Sequence, residues 1–364
     1  MVVHSRRNAL LLIVFAWTVP ATASDIVVVR VGVGGATALD SAASPVFLER
    51  YTGDGTNLGT IALPTAVSGA NQPFVLSGTA SSEGAIAVSA DGNYLTLAGY
   101  AAAQGIAAIS TTTSASVNRV VARIDALFNI DTSSRLNAAF NAANVRAAAS
   151  ADGNAFWVSG NAANTSGGVW YLPFGTTGGT QIVSTPNNAR VVNIFSGQIY
   201  ADSNSSTFAN VFSIGSGLPV TAGQTVTSFP GMPASGASPF AFALFDRSPA
   251  VSGIDTLYVA DDRSIASGGG IQKWLFDGVN WTLSTTFTNG LSVGVRGLAG
   301  EAVGANIVLY ATTADNNLVR LVDDGSVSPL AAVIATAATN TAYRGVALAW
   351  VAPVTDVIFK DGFD

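Results

Sequence analysis

A chain of 364 residues with formal charge −6, 49% hydrophobic and 10% charged residues, 38 Gly, no Cys and one His rules out several kinds of protein. Charged residues make up ~25% of an ordinary domain. With Lys273 and Lys360 the only lysines, no basic surface is left for nucleic acid or an anionic bilayer. The lack of Cys removes disulfides, thiolate nucleophiles, iron–sulfur clusters and Cys zinc sites.

Residues 1–23 read as an export signal. Arg6 and Arg7 precede an apolar run from Ala9 to Val19, and Pro20 then leads into Ala21-Thr22-Ala23, an A-x-A cleavage pattern. The run is about half the ~20 residues a bilayer span needs. Ser5-Arg6-Arg7 also matches part of a twin-arginine signal. Cleavage before Ser24 takes the formal charge from −6 to −8 and removes His4, the only His. The remaining chain then has no transmembrane segment, cannot build a Ser-His-Asp or Cys-His site, and cannot hold zinc through imidazole. No nucleophile elbow or phosphate loop is present either. An oxidising destination without disulfides calls for a core large enough to stand unaided.

From residue 24 onward, apolar segments of five to eight residues alternate with Gly/Asp/Asn/Ser clusters, which predicts strands and turns rather than helices. Strands are predicted at 26–31, 46–51 and 58–63, with a further one around 74–76. Five groups of four follow: 84–90, 94–99, 119–125 and 127–131; 145–150, 155–160, 169–174 and 181–184; 190–195, 198–202, 209–214 and 226–229; 240–245, 256–261, 271–276 and 281–287; 295–300, 307–312, 318–323 and 330–335. A last strand is predicted at 343–350, and only 133–140 has any helical character. Ser89-Ala-Asp-Gly-Asn-Tyr-Leu-Thr-Leu-Ala-Gly99 is echoed by Ser150-Ala-Asp-Gly-Asn-Ala-Phe-Trp-Val-Ser-Gly160. In both, Asp-Gly-Asn sits where a hairpin needs positive φ.

Three N-terminal strands and one C-terminal strand make a sixth group of four. The expected fold is therefore all-β, a β-propeller of six four-stranded blades (seven if 74–76 founds another), closed by joining the two ends of the chain. Residues 24–352 form this one domain and 353–364 a tail. Each unit averages roughly 57 residues, above the ~40–50 of compact repeats, so long loops are expected.

The Ser-Ala-Asp-Gly-Asn hairpins resemble the S-P-D-G-x-x-L/Y-V repeats of bacterial surface and periplasmic propellers, lactonase-like and TolB-like ones among them. Thr256-Leu-Tyr-Val-Ala-Asp-Asp262 is similar to the L-Y-V-A-D strands of NHL and gluconolactonase-like propellers. These are signatures of architecture, and no catalytic residue carries over with them. Ile358-Phe-Lys-Asp-Gly-Phe-Asp364 resembles a short C-terminal ending of some exported Gram-negative proteins, which implies a sorting tail; the alternative is a plain chain end.

Arg146, Arg190, Arg296 and Arg344 each stand at or near the start of a unit's first strand. In a propeller they would converge at one channel mouth and bind a carboxylate, phosphate or acidic sugar, or else each would staple its unit to the next. Glu83 is the expected counter-charge. Asp261, Asp262, Asp315, Asp323 and Asp324 offer oxygen ligands, and the resemblance to gluconolactonase-like propellers implies a channel metal, with calcium the candidate; the same residues also suit turns. With only three Glu, at 49, 83 and 301, no carboxylate pair stands out for glycoside chemistry. Trp170, Tyr171, Trp274, Trp281 and Trp350 would form either a sugar-stacking face or core. The functional expectation is a secreted, periplasmic or surface-held monomer that binds a protein or carbohydrate partner without catalysis. The alternatives are a calcium-dependent hydrolase or lactonase in the channel, and a structural envelope component.

Overall fold

The computed structural model describes residues 24–205 and 208–350; the export signal and the tail expected from the sequence lie outside them. β1 (Ile26–Val31), β2 (Ala43–Tyr51) and β3 (Asn57–Ala62) are followed by a short β4 (Val75–Ser77). Next come β5 (Ile86–Val88), β6 (Tyr94–Tyr100), β7 (Arg119–Asp125) and β8 (Ile130–Leu136), then β9 (Val145–Ala149), β10 (Ala155–Gly160), β11 (Gly168–Pro173) and β12 (Thr180–Val183). β13 (Ala189–Phe195), β14 (Gln198–Ser203), β15 (Asn210–Ile214) and β16 (Val226–Ser228) precede β17 (Pro239–Phe245), β18 (Thr256–Asp261), β19 (Gly270–Phe276) and β20 (Trp281–Phe287). β21 (Val295–Val303), β22 (Asn306–Thr313), β23 (Asn317–Asp323), β24 (Ala332–Thr336) and β25 (Ala342–Leu348) complete the series.

The fold is all-β, and its only helical elements among the described residues are two 3₁₀ turns, Ile109–Thr111 and Ile265–Ser267. Strands β9–β12, β13–β16, β17–β20 and β21–β24 each form a separate four-stranded antiparallel sheet. A nine-stranded sheet holds the rest, and no sheet closes on itself. Within it β25-β1-β2-β3 and β5-β6-β7-β8 are two runs of four, joined by β4, which pairs with both β2 and β6. The two ends of the chain therefore meet in one sheet as expected, with Ile26 opposite Leu348 and Val31 opposite Ala342. Arg30 holds Glu49 at 2.5 Å, and Glu49 Oε2 accepts from Tyr51 at 2.6 Å and Tyr343 at 2.9 Å, which ties β25 across β1 to β2.

Burial explains how the sheets are stacked. Every residue of β9 is buried, whereas the fourth strands β24 and β3 are largely exposed; β8 and β12, also fourth strands, are half-buried or buried throughout. β5 packs on β25 and β9, β9 on β13, β13 on β17, β17 on β21, and β21 on β25. The apolar clusters lie between neighbouring sheets: Tyr258, Ala260 and Ile271 of one sheet pack with Leu298, Leu309 and Leu321 of the next. Polar seams repeat the pattern. A hydroxyl on a second strand donates to a first-strand carbonyl of the following sheet: Thr96 to Ala148 at 2.7 Å, Ser159 to Arg190, and Thr312 to Arg344. The two echoing hairpins also meet, Ala90 and Asp91 donating backbone bonds to Ser150 and Ala151 at 3.0 Å each. Gly153 turns there with φ of +80°, and a Cβ on it would stand 2.6 Å from the Tyr94 ring.

Two sequence expectations are corrected. The segment 133–140 is not helical: β8 covers Ile130–Leu136, later than the strand expected at 127–131. Asp125 accepts the Leu127 and Asn129 amides at 2.9 Å each, so 126–129 form the turn, and pairing with β7 overrides the polar composition of Asp131–Arg135. The strand expected around 74–76 exists as β4, but it bridges β2 and β6 and founds no further four-stranded unit.

Candidate functional site

Six first strands surround two adjoining spaces. The first, about 40 Å³, is lined by Ser81, Ser82, Glu83, Arg296 and Arg344 together with residues of β5, β9, β13, β17, β21 and β25. The second, about 310 Å³, is lined by residues of β5, β13, β17, β21 and β25 and by Tyr200 of β14. Ile86, Ala87, Asn193, Phe242, Leu298 and Val346 line both, so the two spaces meet at these residues.

Of the four arginines singled out in the sequence, Arg296 and Arg344 line the first space, while Arg146 and Arg190 stand on neighbouring first strands next to Ala147 and Val191, which line it. Arg146 and Arg190 sense one another's charge, as do Arg190 and Arg296, and Arg296 and Arg344. Each also reaches an adjacent unit. Arg146 donates to Asn188 and to the Ala189 carbonyl at 3.1 Å. Arg190 donates to the Pro239 carbonyl at 2.6 Å and stacks 4.0 Å above Phe240. Arg296 pairs with Asp262 at 2.8 Å, and Arg344 donates to the Gly78 carbonyl at 2.8 Å. Stapling is thus present at every one of them. It does not consume them: the Nε–H groups of Arg146, Arg190 and Arg344 are buried without a partner among the described residues. Burial depresses the guanidinium pKa of Arg146 and of Arg344 to about 10.

Glu83 sits in the same space, 2% exposed. Tyr100 and Asn144 donate to its Oε1 at 2.5 and 2.7 Å, and the Ser77 amide donates to Oε2 at 2.9 Å. Burial pushes its carboxyl up, against the pull of those donors and of Arg344.

Sequence reasoning missed two residues. Arg119, 1% exposed, donates to the carbonyls of Thr112, Val117, Phe140 and Ala143 at 2.7–3.1 Å and lies 5.0 Å from the Tyr100 ring centre. Asp202 is fully buried near Arg190 and Arg146; its Oδ1 accepts the Val191 amide at 2.6 Å and its Oδ2 has no partner among the described residues. Nothing in the residue pattern marks Arg119. Asp202 could have been noticed as a carboxylate ending a strand otherwise rich in apolar residues.

Burial pushes Asp202 up to about 6, outweighing the Val191 amide and the two guanidiniums. A folded-state value above the unfolded one means the native protein holds the proton more tightly. Stability from this group is therefore greatest in acid and is lost as pH rises through the interval from about 4 to about 6. The shift of roughly two pH units corresponds to about 3 kcal/mol lost by neutral pH. Asp202→Asn is expected to melt at a progressively higher temperature relative to the native chain between pH 4 and 7; parallel melting curves across that range would contradict this.

The aspartates considered for calcium do not come together. Asp261 accepts from Arg263, Ser238 and Gln272; Asp262 pairs with Arg296; Asp323 accepts from Tyr258 at 2.5 Å and Lys273 at 2.6 Å. Asp315 is engaged by Thr313 and Ser292, and Asp324 caps the turn at Ser326. Among the described residues there is no group of three or more His, Cys, Asp or Glu able to hold a metal ion. None of the five aspartates lines either space, so this donor set does not fit a channel calcium. Trp170, Trp274 and Trp281 are buried, and Trp281 stacks on both Phe229 and Phe276, so of the two roles expected for the aromatics these three take the core one.

No protein-family model and no curated protein matches the chain. Among solved structures it is similar to the periplasmic gluconolactonase of Pseudomonas aeruginosa, with 14% identity and a TM-score of 0.46 over 84% of this chain and 82% of that one. It is also similar to a chain of the nidogen/laminin complex (11% identity, TM-score 0.47, 89% and 97% covered) and to Kuenenia stuttgartiensis hydrazine synthase (12%, 0.37, 79% and 78%). No helix of the described residues is long and apolar enough to cross a membrane.

Proposed function

We propose that this chain is an exported six-bladed β-propeller, residues 24–352, that binds a small anionic group at the arginine-lined end of its central channel without catalysing a reaction. The export signal at 1–23, the tail at 353–364 and a monomeric state belong to the same proposal. The observation that carries it is Arg344. Its buried guanidinium lines an open space beside Arg296 and Glu83, and the charges of Arg296, Arg190 and Arg146 follow it in turn from one first strand to the next. Burial raises the proton affinity of Glu83, the one carboxyl that lines this space with Arg296 and Arg344. A carboxylate or phosphate would meet the charge of Arg296 and Arg344 there.

A second reading, opening of a lactone in the same space, is favoured by Glu83, a carboxyl with raised proton affinity beside Arg344. Its oxygens are already held by Tyr100, Asn144 and Ser77, which supports binding over catalysis.

The test is thermal melting with small carboxylates and phosphate, with glucose and matched NaCl as controls, and with calcium or chelator. A ligand at a hundred times its Kd stabilises by about 2.7 kcal/mol. The anions should raise the melting temperature of the native protein and leave Arg296→Gln unmoved. Equal shifts with glucose or NaCl, or an undiminished shift in the variant, would defeat the binding proposal. Accelerated hydrolysis of gluconolactone lost in Glu83→Gln would replace it with the second reading, and a chelator-sensitive melting temperature would bring calcium back.

A further inference from the structure

The two spaces along the channel differ in chemistry. The first carries Glu83, Arg296 and Arg344, whereas the second, larger one has no charged residue in its lining at all. Its walls are Val88, Phe195, Leu244, Leu298, Val346 and Leu348, interrupted by Ser89, Asn193 and Tyr200. The residues common to both spaces are apolar apart from Asn193; of them Phe242 is 3% exposed and Val346 2%. An aqueous channel that only admitted a small ion would not need this lining. Concave apolar walls with a few polar groups at one end are the usual form of a site for an organic ligand.

Building on the anion-binding mouth proposed above, we infer that the channel takes an amphiphile, a carboxylate or phosphate head at Arg296 and Arg344 followed by an unbranched hydrocarbon tail through the waist at Leu298 and Val346 into the uncharged space. The head compensates the buried guanidinium, and the tail removes apolar wall and apolar ligand from water together. A short hydrophilic anion satisfies only the first of these, and a neutral hydrocarbon only the second.

Isothermal titration calorimetry of the purified protein with acetate, butyrate, hexanoate and octanoate, and with 1-octanol, separates these contributions. Each methylene that enters the uncharged space should tighten binding about three- to fourfold, so octanoate should exceed butyrate about a hundredfold. 1-Octanol should bind at least tenfold more weakly than octanoate. Val346→Thr keeps the side-chain shape but puts a hydroxyl in place of a methyl at the waist, and should weaken octanoate more than it weakens acetate. Equal affinity for butyrate and octanoate overturns the tail site and leaves the anion-binding mouth standing. 1-Octanol binding as tightly as octanoate overturns the mouth, and the amphiphile with it. No binding of any acid at millimolar concentration overturns both.

Discussion

Arg119→Met is expected to destabilise the protein by about 3–5 kcal/mol, the largest effect of any single substitution considered. The guanidinium is 1% exposed and is the donor for four backbone carbonyls, those of Thr112, Val117, Phe140 and Ala143. Removing it takes the donor from four carbonyls at once, with the bond to Phe140 fully buried, and the cost is that of these lost hydrogen bonds rather than of one ion pair. The loop it holds is itself unfavourable: Phe140 and Ala142 both adopt φ of +53°, a left-handed conformation costly for residues with a Cβ. Asn144, at the end of that loop, donates to Glu83, so loosening it also loosens the channel mouth. Arg119→Lys should recover only part of the loss, because one ammonium cannot fork toward acceptors on several sides. Urea unfolding measures this, and a change below about 1 kcal/mol for the methionine variant would show that the carbonyls find other partners.

Gly345→Ala is expected to cost about 1–3 kcal/mol and to act on the join between the end of the chain and β5. A Cβ there would lie 2.6 Å from the Ile86 amide nitrogen, 2.7 Å from the Gly84 carbonyl oxygen and 2.8 Å from Ala85 Cα. All three are backbone atoms, so no side chain can swing aside, and the strands must separate. Separation also stretches the 3.0 Å bond from the Gly345 amide to Gly84. Neighbouring Arg344 lines the first space, so the same variant should weaken anion binding as well. Calorimetric melting with and without phosphate would show both effects; an unchanged melting temperature would mean that β25 and β5 are not packed as closely as the structure has them.

Much of the architecture was legible from residues 26 to 348. The strands at Ile26–Val31, Arg119–Asp125, Ala155–Gly160, Thr256–Asp261 and Trp281–Phe287 have the bounds expected of them, because dense β-branched and aromatic residues end abruptly at Gly, Asp or Asn. The union of the two chain ends in one sheet also followed from counting strands in fours. β8 was misplaced because Asp-Thr-Ser-Ser-Arg has no intrinsic strand preference, and only its partner β7 decides its conformation.

At the channel, recurrence of Arg at strand starts was visible in the chain, and so was Glu83 as a counter-charge. What those groups do was decided by tertiary structure. Whether a guanidinium is a staple, a ligand donor or both depends on which carbonyls of the next unit stand near it, and backbone carbonyls leave no mark in a residue sequence. Arg119 and Asp202 escaped notice for the same reason: their importance comes from burial against backbone groups, the carbonyls of Thr112, Val117, Phe140 and Ala143 and the amide of Val191. Composition and periodicity set local conformation through steric preference and apolar burial, whereas charge chemistry depends on dielectric and distance, which exist only once the sheets have packed.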